Sequence, residues 1–148
     1  MATGSQREQI LEYVVGQIEE IDRFKLIARD LPDDIASIPS TQFPACYVVG
    51  GLPVAAEHDD SMRPGGADVF LSQLDVVVFV WDRASQSWDT RISDLADDLW
   101  AKLWENPTKG ISAVKTSVFF GEIPTWNPPT VSFNLTVRVR YKHTIGGI

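Results

Sequence analysis

Thr130-Val-Ser-Phe-Asn-Leu-Thr-Val-Arg-Val-Arg-Tyr-Lys-His143 alternates apolar and polar side chains without interruption. Val131, Phe133, Leu135, Val137, Val139 and Tyr141 fall on one side, and Ser132, Asn134, Thr136, Arg138, Arg140 and Lys142 on the other. Only an extended strand, whose side chains point alternately to opposite faces, gives this period of two. The stretch therefore predicts a long half-buried strand with one face on a core and a cationic, polar face turned away from it. Five residues follow it, so the expected domain is finished by a strand rather than by a catalytic loop.

Working back from that strand, Val76-Val-Val-Phe-Val-Trp81 is a continuous apolar run, as expected of a central strand covered on both faces. Phe43 to Gly50 reads as another buried strand ending at Gly50-Gly51, and Ala113 to Ile123 as a further one. Pro124-Thr-Trp-Asn-Pro-Pro129 reads as a rigid turn, because three prolines restrict the backbone. Between the strands lie two amphipathic segments. Ser5-Gln-Arg-Glu8 has the form of a capping box, and Ile10, Leu11, Val14, Ile18 and Ile21 recur at helical spacing, which predicts a helix over about residues 6 to 21. Ser87 is placed to cap a second helix, whose stripe is Trp88, Ile92, Leu95, Leu99 and Leu103 and whose end is set by Asn106-Pro107. Arg23 to Arg29 is open between a short strand and a last helical turn. These elements predict one α+β domain over residues 1–148: a mixed or antiparallel sheet packed by two helices, with a long hairpin or loop extension from Leu52 to Asp68.

Composition narrows the chemistry. The 148 residues carry 20 acidic against 13 basic side chains, a formal charge of -7. That balance argues against tight nucleic-acid binding, which needs clustered Lys and Arg to release phosphate counterions. The single Cys46 has no partner for an internal disulfide and reads as a small buried hydrophobe. The start of the chain lacks the basic, apolar and cleavage-site succession of an export signal, and no apolar run is long enough to span a bilayer, so the protein is expected to stay where it is made, with no membrane partner.

With only two histidines, few catalytic constellations can be assembled. Glu57-His58-Asp59-Asp60 is the one local cluster of possible metal ligands, but it lacks the spacing of a zinc or EF-hand site. Gly50-Gly51 and Gly65-Gly66 lack the spacing of phosphate-binding loops. Asp89, Asp94, Asp97 and Asp98 read as the solvated face of the second helix. No enzyme activity and no cofactor are expected. Trp100 and Trp104 cannot both share the stripe of Leu95, Leu99 and Leu103, so the apolar arc of this helix is wider than one sheet requires; a second covered surface, such as a subunit interface, would use it.

The order of elements, the Pro-bounded strand Phe43-Pro-Ala-Cys-Tyr-Val-Val49, the central strand Leu74-Asp-Val-Val-Val-Phe-Val80, the Trp-rich helix after it and the terminal Phe133-Asn-Leu-Thr-Val-Arg-Val-Arg-Tyr141 strand together resemble the phage tail terminator and tail completion proteins. The likeness runs over nearly the whole chain and rests on pattern rather than on an invariant motif. It implies a virion structural protein, assembled in the host cytoplasm, that sits as a homo-oligomeric, hexameric ring at the head-proximal end of the tail. Its partners would be the tail tube protein and a head-side connector or neck protein, and DNA would pass through without specific binding. A ring needs two different patches on each subunit; Trp100 and Trp104 on one side, with Arg138 and Arg140 on the other, are the candidates. The extension, with Glu57, His58, Asp59, Asp60 and Arg63, is the candidate axial contact loop, expected to order on docking. Two other classes stay open: another neck or tail-tube subunit, and a small cytosolic enzyme or ligand-binding module using a pocket beside His58.

Overall fold

The structure, a computed structural model, describes residues 5–32, 38–55, 69–83, 88–105, 115–121, 125–127 and 130–144. Helix α1 (Gln6–Ile21) is followed by strands β1 (Leu26–Ala28), β2 (Ala45–Gly50), β3 (Val54–Ala55) and β4 (Val69–Arg83). Helix α2 (Trp88–Trp104) then leads to β5 (Lys115–Phe120), β6 (Thr125–Asn127) and β7 (Thr130–Thr144). The seven described strands join one mixed sheet along the order β1-β2-β4-β7-β5, with β3 added to β4 and β6 to β7. Among the described strands only β1 against β2 is parallel; β4 and β7 pair antiparallel over their whole lengths, from Val69 opposite Thr144 to Arg83 opposite Thr130.

Both helices lie on one face of this sheet. Their buried stripes, Ile10, Leu11, Val14 and Ile18 from α1 and Ile92, Leu95, Leu99 and Leu103 from α2, meet Val76, Val78 and Val80 of β4 and Val131 to Tyr141 of β7 in one core. The alternation of β7 is thus realised residue by residue, since each odd position from Val131 to Tyr141 is buried. Gly50 lets α1 come close to β2: a Cβ there would lie 2.7 Å from a methyl carbon of Leu11. Arg7 ties the same end down by donating to the carbonyls of Gly50 and Gly51 at 3.0 and 2.8 Å.

Among the described residues, the opposite face of the sheet is covered over one half. Ala45 and Tyr47 of β2 are buried there with Ile38, packed by Leu26, Ala28, Phe43, Phe79 and Trp81. Tyr47 meets the Trp81 ring edge-on at 5.1 Å. The apolar run of β4 is therefore covered on both faces at its Phe79–Trp81 end, as its composition predicts. The half made by the other end of β4, by β7 and by β5 is polar and lies open among the described residues.

Several local expectations are refined. The capping serine works as expected, Ser5 Oγ accepting from the Glu8 N–H at 3.2 Å, but the Glu8 carboxylate is committed elsewhere, accepting from Arg29 at 2.8 and 3.3 Å. Helix α1 ends at Asp22, in the left-handed region at φ 57°, and the undecided segment after it supplies β1 as an edge strand. The Pro124–Pro129 stretch is not a simple turn: Thr125–Asn127 form β6, opposite Ser132, Val131 and Thr130 of β7. A residue preceding proline is pushed toward extended backbone, which favours pairing as readily as turning. The expected extension begins with β3, which pairs Val54 with Gln73 and Ala55 with Ser72. Residues 56–68 lie outside the described residues.

Candidate functional site

Helix α2 carries two stripes. One is the buried series already described; the other, Asp89, Ser93, Asp97, Trp100 and Trp104, runs beside it at spacings of four, four, three and four, and every member is exposed. The first stripe needs the sheet, and it fixes the second on the flank that faces β5. Trp100 stacks on Phe120 of β5 with ring centroids 5.1 Å apart and meets Trp104 edge-on at 5.6 Å, while Phe120 in turn reaches Phe133 at 6.4 Å. Trp100, Trp104 and Phe120 are nonetheless 37, 40 and 41% exposed, so a connected aromatic cluster runs from the core into solvent. A cleft of about 270 Å³ opens beside it, walled by Ile92, Ala96, Phe120 and Phe133 and by the carboxylates of Asp89 and Asp97.

Polar anchors hold α2 in this position. Asp82, at the buried end of β4, accepts from Nε and Nη2 of Arg91 at 3.0 and 2.7 Å. Gln17 of α1 donates to the carbonyls of Lys102 and Glu105 at 3.1 and 2.9 Å, satisfying acceptors that a helix C-terminus leaves unpaired. Arg23 bonds Asp98 at 2.6 Å and lies 3.8 Å from Asp94. These two aspartates therefore hold α2 to the segment that follows α1, whereas Asp89 and Asp97 face the cleft.

The second surface is the open half of the sheet. Lys115 of β5 stands opposite Arg140 of β7, and Ser117 opposite Arg138. With Phe119 these residues line a second cleft of about 270 Å³, whose walls, among the described residues, hold three cations and no carboxylate. Arg138 is partly neutralised beside it: its guanidinium donates to Asp75, directly opposite on β4, at 2.9 and 3.1 Å, and lies 5.1 Å from the Phe119 ring centre. That hydrogen bond and charge hold the Arg138 guanidinium more firmly protonated than usual. Arg140 donates to the Gln73 amide at 3.3 Å and, among the described residues, faces Lys115 without a carboxylate between them. Like charges directly opposite on a sheet are unfavourable in isolation.

The four residues expected at an interface thus lie on two surfaces, Trp100 and Trp104 on the helix side and Arg138 and Arg140 on the bare side of the same sheet. Glu57, His58, Asp59, Asp60 and Arg63, the expected contact loop, lie outside the described residues. Sequence reading did not find Lys115, Phe119 and Phe120, which belong to a short strand, or the roles of Asp75 and Gln73, which depend on pairing across more than 60 positions. Cys46 is fully buried, and burial pushes its thiol up to about 12, which suits a core side chain and not a nucleophile. Among the described residues there is no group of three or more His, Cys, Asp or Glu able to hold a metal ion, and no helix long and apolar enough to cross a membrane. No protein-family model matches the chain, and no curated protein matches it in a sequence comparison.

Proposed function

We propose that this chain is a structural subunit of a phage tail that closes as a six-membered ring on the head-proximal end of the tail tube, stops its polymerisation and presents a docking face to the head-side connector. The observation that carries the reading is the aromatic cluster Trp100, Trp104 and Phe120, continuous with the core yet more than a third exposed at each ring. Tryptophan and phenylalanine contribute most where water is fully excluded from them, and they are enriched at the centres of protein interfaces. The open cationic half of the sheet supplies a second, chemically different surface, and two unlike surfaces on one subunit are what a closed ring requires. The resemblance of the whole chain to tail terminators points the same way. A net charge of -7 suits a channel that lets DNA pass, because like charge keeps phosphate from adhering to the wall.

The test is assembly without the chain. Particles made in its absence are expected to carry tails of uncontrolled length, or tails that do not join heads. Tails of normal length joined normally to heads would rule the function out.

A further inference from the structure

Resting on the ring reading, we infer that the contact between neighbouring subunits is heterologous and formed by the exposed stripe of α2 on one copy seated on the β5–β7 face of the next, with Asp89 and Asp97 meeting Lys115 and Arg140. Four observations select a second copy of this chain as the occupant. The β5–β7 cleft holds Lys115 and Arg140 face to face with no carboxylate in its walls among the described residues, so it fits carboxylates supplied from outside. The α2 stripe supplies them: Asp89 and Asp97 are exposed, and Arg23, the cation that reaches this helix from the segment after α1, is taken up by Asp94 and Asp98 on another flank. Both surfaces also carry exposed aromatics, Trp100 and Trp104 on the helix and Phe119, 39% exposed, on the sheet, so the ionic contacts would surround a desolvated apolar centre. Finally, among the described residues the sheet is covered by helices on one side and by the Ile38–Tyr47 cluster on half of the other; a helix from the next copy would cover the remaining half.

Because the two patches lie on opposite faces of one sheet, a subunit cannot satisfy itself. A two-fold dimer could make both contacts only if the two patches faced the same partner, which their places on opposite faces of the sheet prevent. Head-to-tail repetition is the arrangement in which each acidic stripe meets a basic face, and it closes into a ring when the rotation per step divides a full turn. Arg138 takes a lesser part, since Asp75 already neutralises it.

Charge reversal tests the pairing on the intact chain. The Asp89→Lys/Asp97→Lys variant and the Lys115→Glu/Arg140→Glu variant should each keep a cooperative thermal transition, because none of the four side chains takes part in the buried core. Each should weaken self-association by about 100-fold, since it sets like charges against each other. An equimolar mixture of the two variants restores complementarity at both contacts, as does a single chain with all four reversals, and both should re-form rings in native mass spectrometry. Self-association that survives either reversal, two reversals that do not rescue each other, or a wild-type chain that stays monomeric at every concentration would overturn the pairing. The tail-end function is judged separately by tail length and head joining, so a ring built through other surfaces would overturn this contact and leave that function standing.

Discussion

Replacing Arg91 with alanine should loosen the anchor that fixes the exposed stripe of α2. The Asp82 side chain is 4% exposed and its Oδ2 takes both contacts from Arg91, whereas its Oδ1 accepts from the backbone N–H of Arg83 at 2.8 Å. Removing one partner of a fully buried ion pair costs roughly 3–5 kcal/mol because the other charge is stranded. Arg91 itself is 50% exposed, so water entering its place would solvate Oδ2 in part, and Oδ1 keeps its donor. Halving the buried value gives about 2 kcal/mol for Arg91→Ala. For a chain of this size that corresponds to a fall in Tm of roughly 4–8 °C. Asp82→Asn keeps an acceptor and removes the charge, so it should cost under about 1 kcal/mol, and Arg91→Ala made in that background should add little. A double-mutant cycle by urea denaturation, followed by circular dichroism, gives the coupling directly. Equal costs of Arg91→Ala with and without Asp82→Asn would refute the argument, since the loss would then come from helix propensity and not from a stranded carboxylate.

Phe133→Ala should cost roughly 3–5 kcal/mol by cavity formation, whereas Arg138→Ala, breaking a pair that is 39% exposed on each side, should cost under about 1 kcal/mol; the reverse order in urea unfolding would mean that β7 is read one residue out of register. Arg29 bonds the Glu8 carboxyl and holds it below the usual carboxylate range, so the unfolded chain takes up that proton first. The contribution is present at neutral pH and is lost as pH falls from the ordinary carboxylate range through the lower folded value; Glu8→Gln should flatten stability against pH between about 5 and 3, and an unchanged slope would contradict this. Cys46 behaves in the opposite sense, its thiol pushed from 9.0 to about 12, so above 9.0 the unfolded chain ionises first and stability falls as pH rises. Cys46→Ala should reduce that alkaline slope, and a thiol reagent at pH 9 should label the native protein only after unfolding; fast native labelling would show the thiol to be accessible.

How much of this could be read in advance follows from the range of the forces involved. Helix α1 is fixed by a local cap and a local period, and its expected span of 6 to 21 is the span observed. The same holds for β7, whose period of two needs no partner to be recognised. Strand β1 could not be decided, because three residues carry no period and its order comes from lying parallel to β2, 19 positions away. The continuous run in β4 announced cover on both faces but not its source, since Ile38 and Phe43 reach Phe79 and Trp81 only through the fold. The site shows the same division. Trp100 and Trp104 were legible because one helix displays them at a fixed angle to its core stripe. The cationic cleft was not, because Lys115 and Arg140 face each other only through the β5–β7 register, and the balance of charge there depends on Asp75 of β4.

The most direct test of the central claim is where the chain sits in the particle. Gold-labelled antibody against the protein, viewed by electron microscopy on intact virions, should mark a single site at the head-proximal end of each tail, and averaging of isolated tail ends should resolve a six-fold ring there. Label spread along the tube would make the chain a tube subunit instead, and virions without label would contradict a structural role altogether.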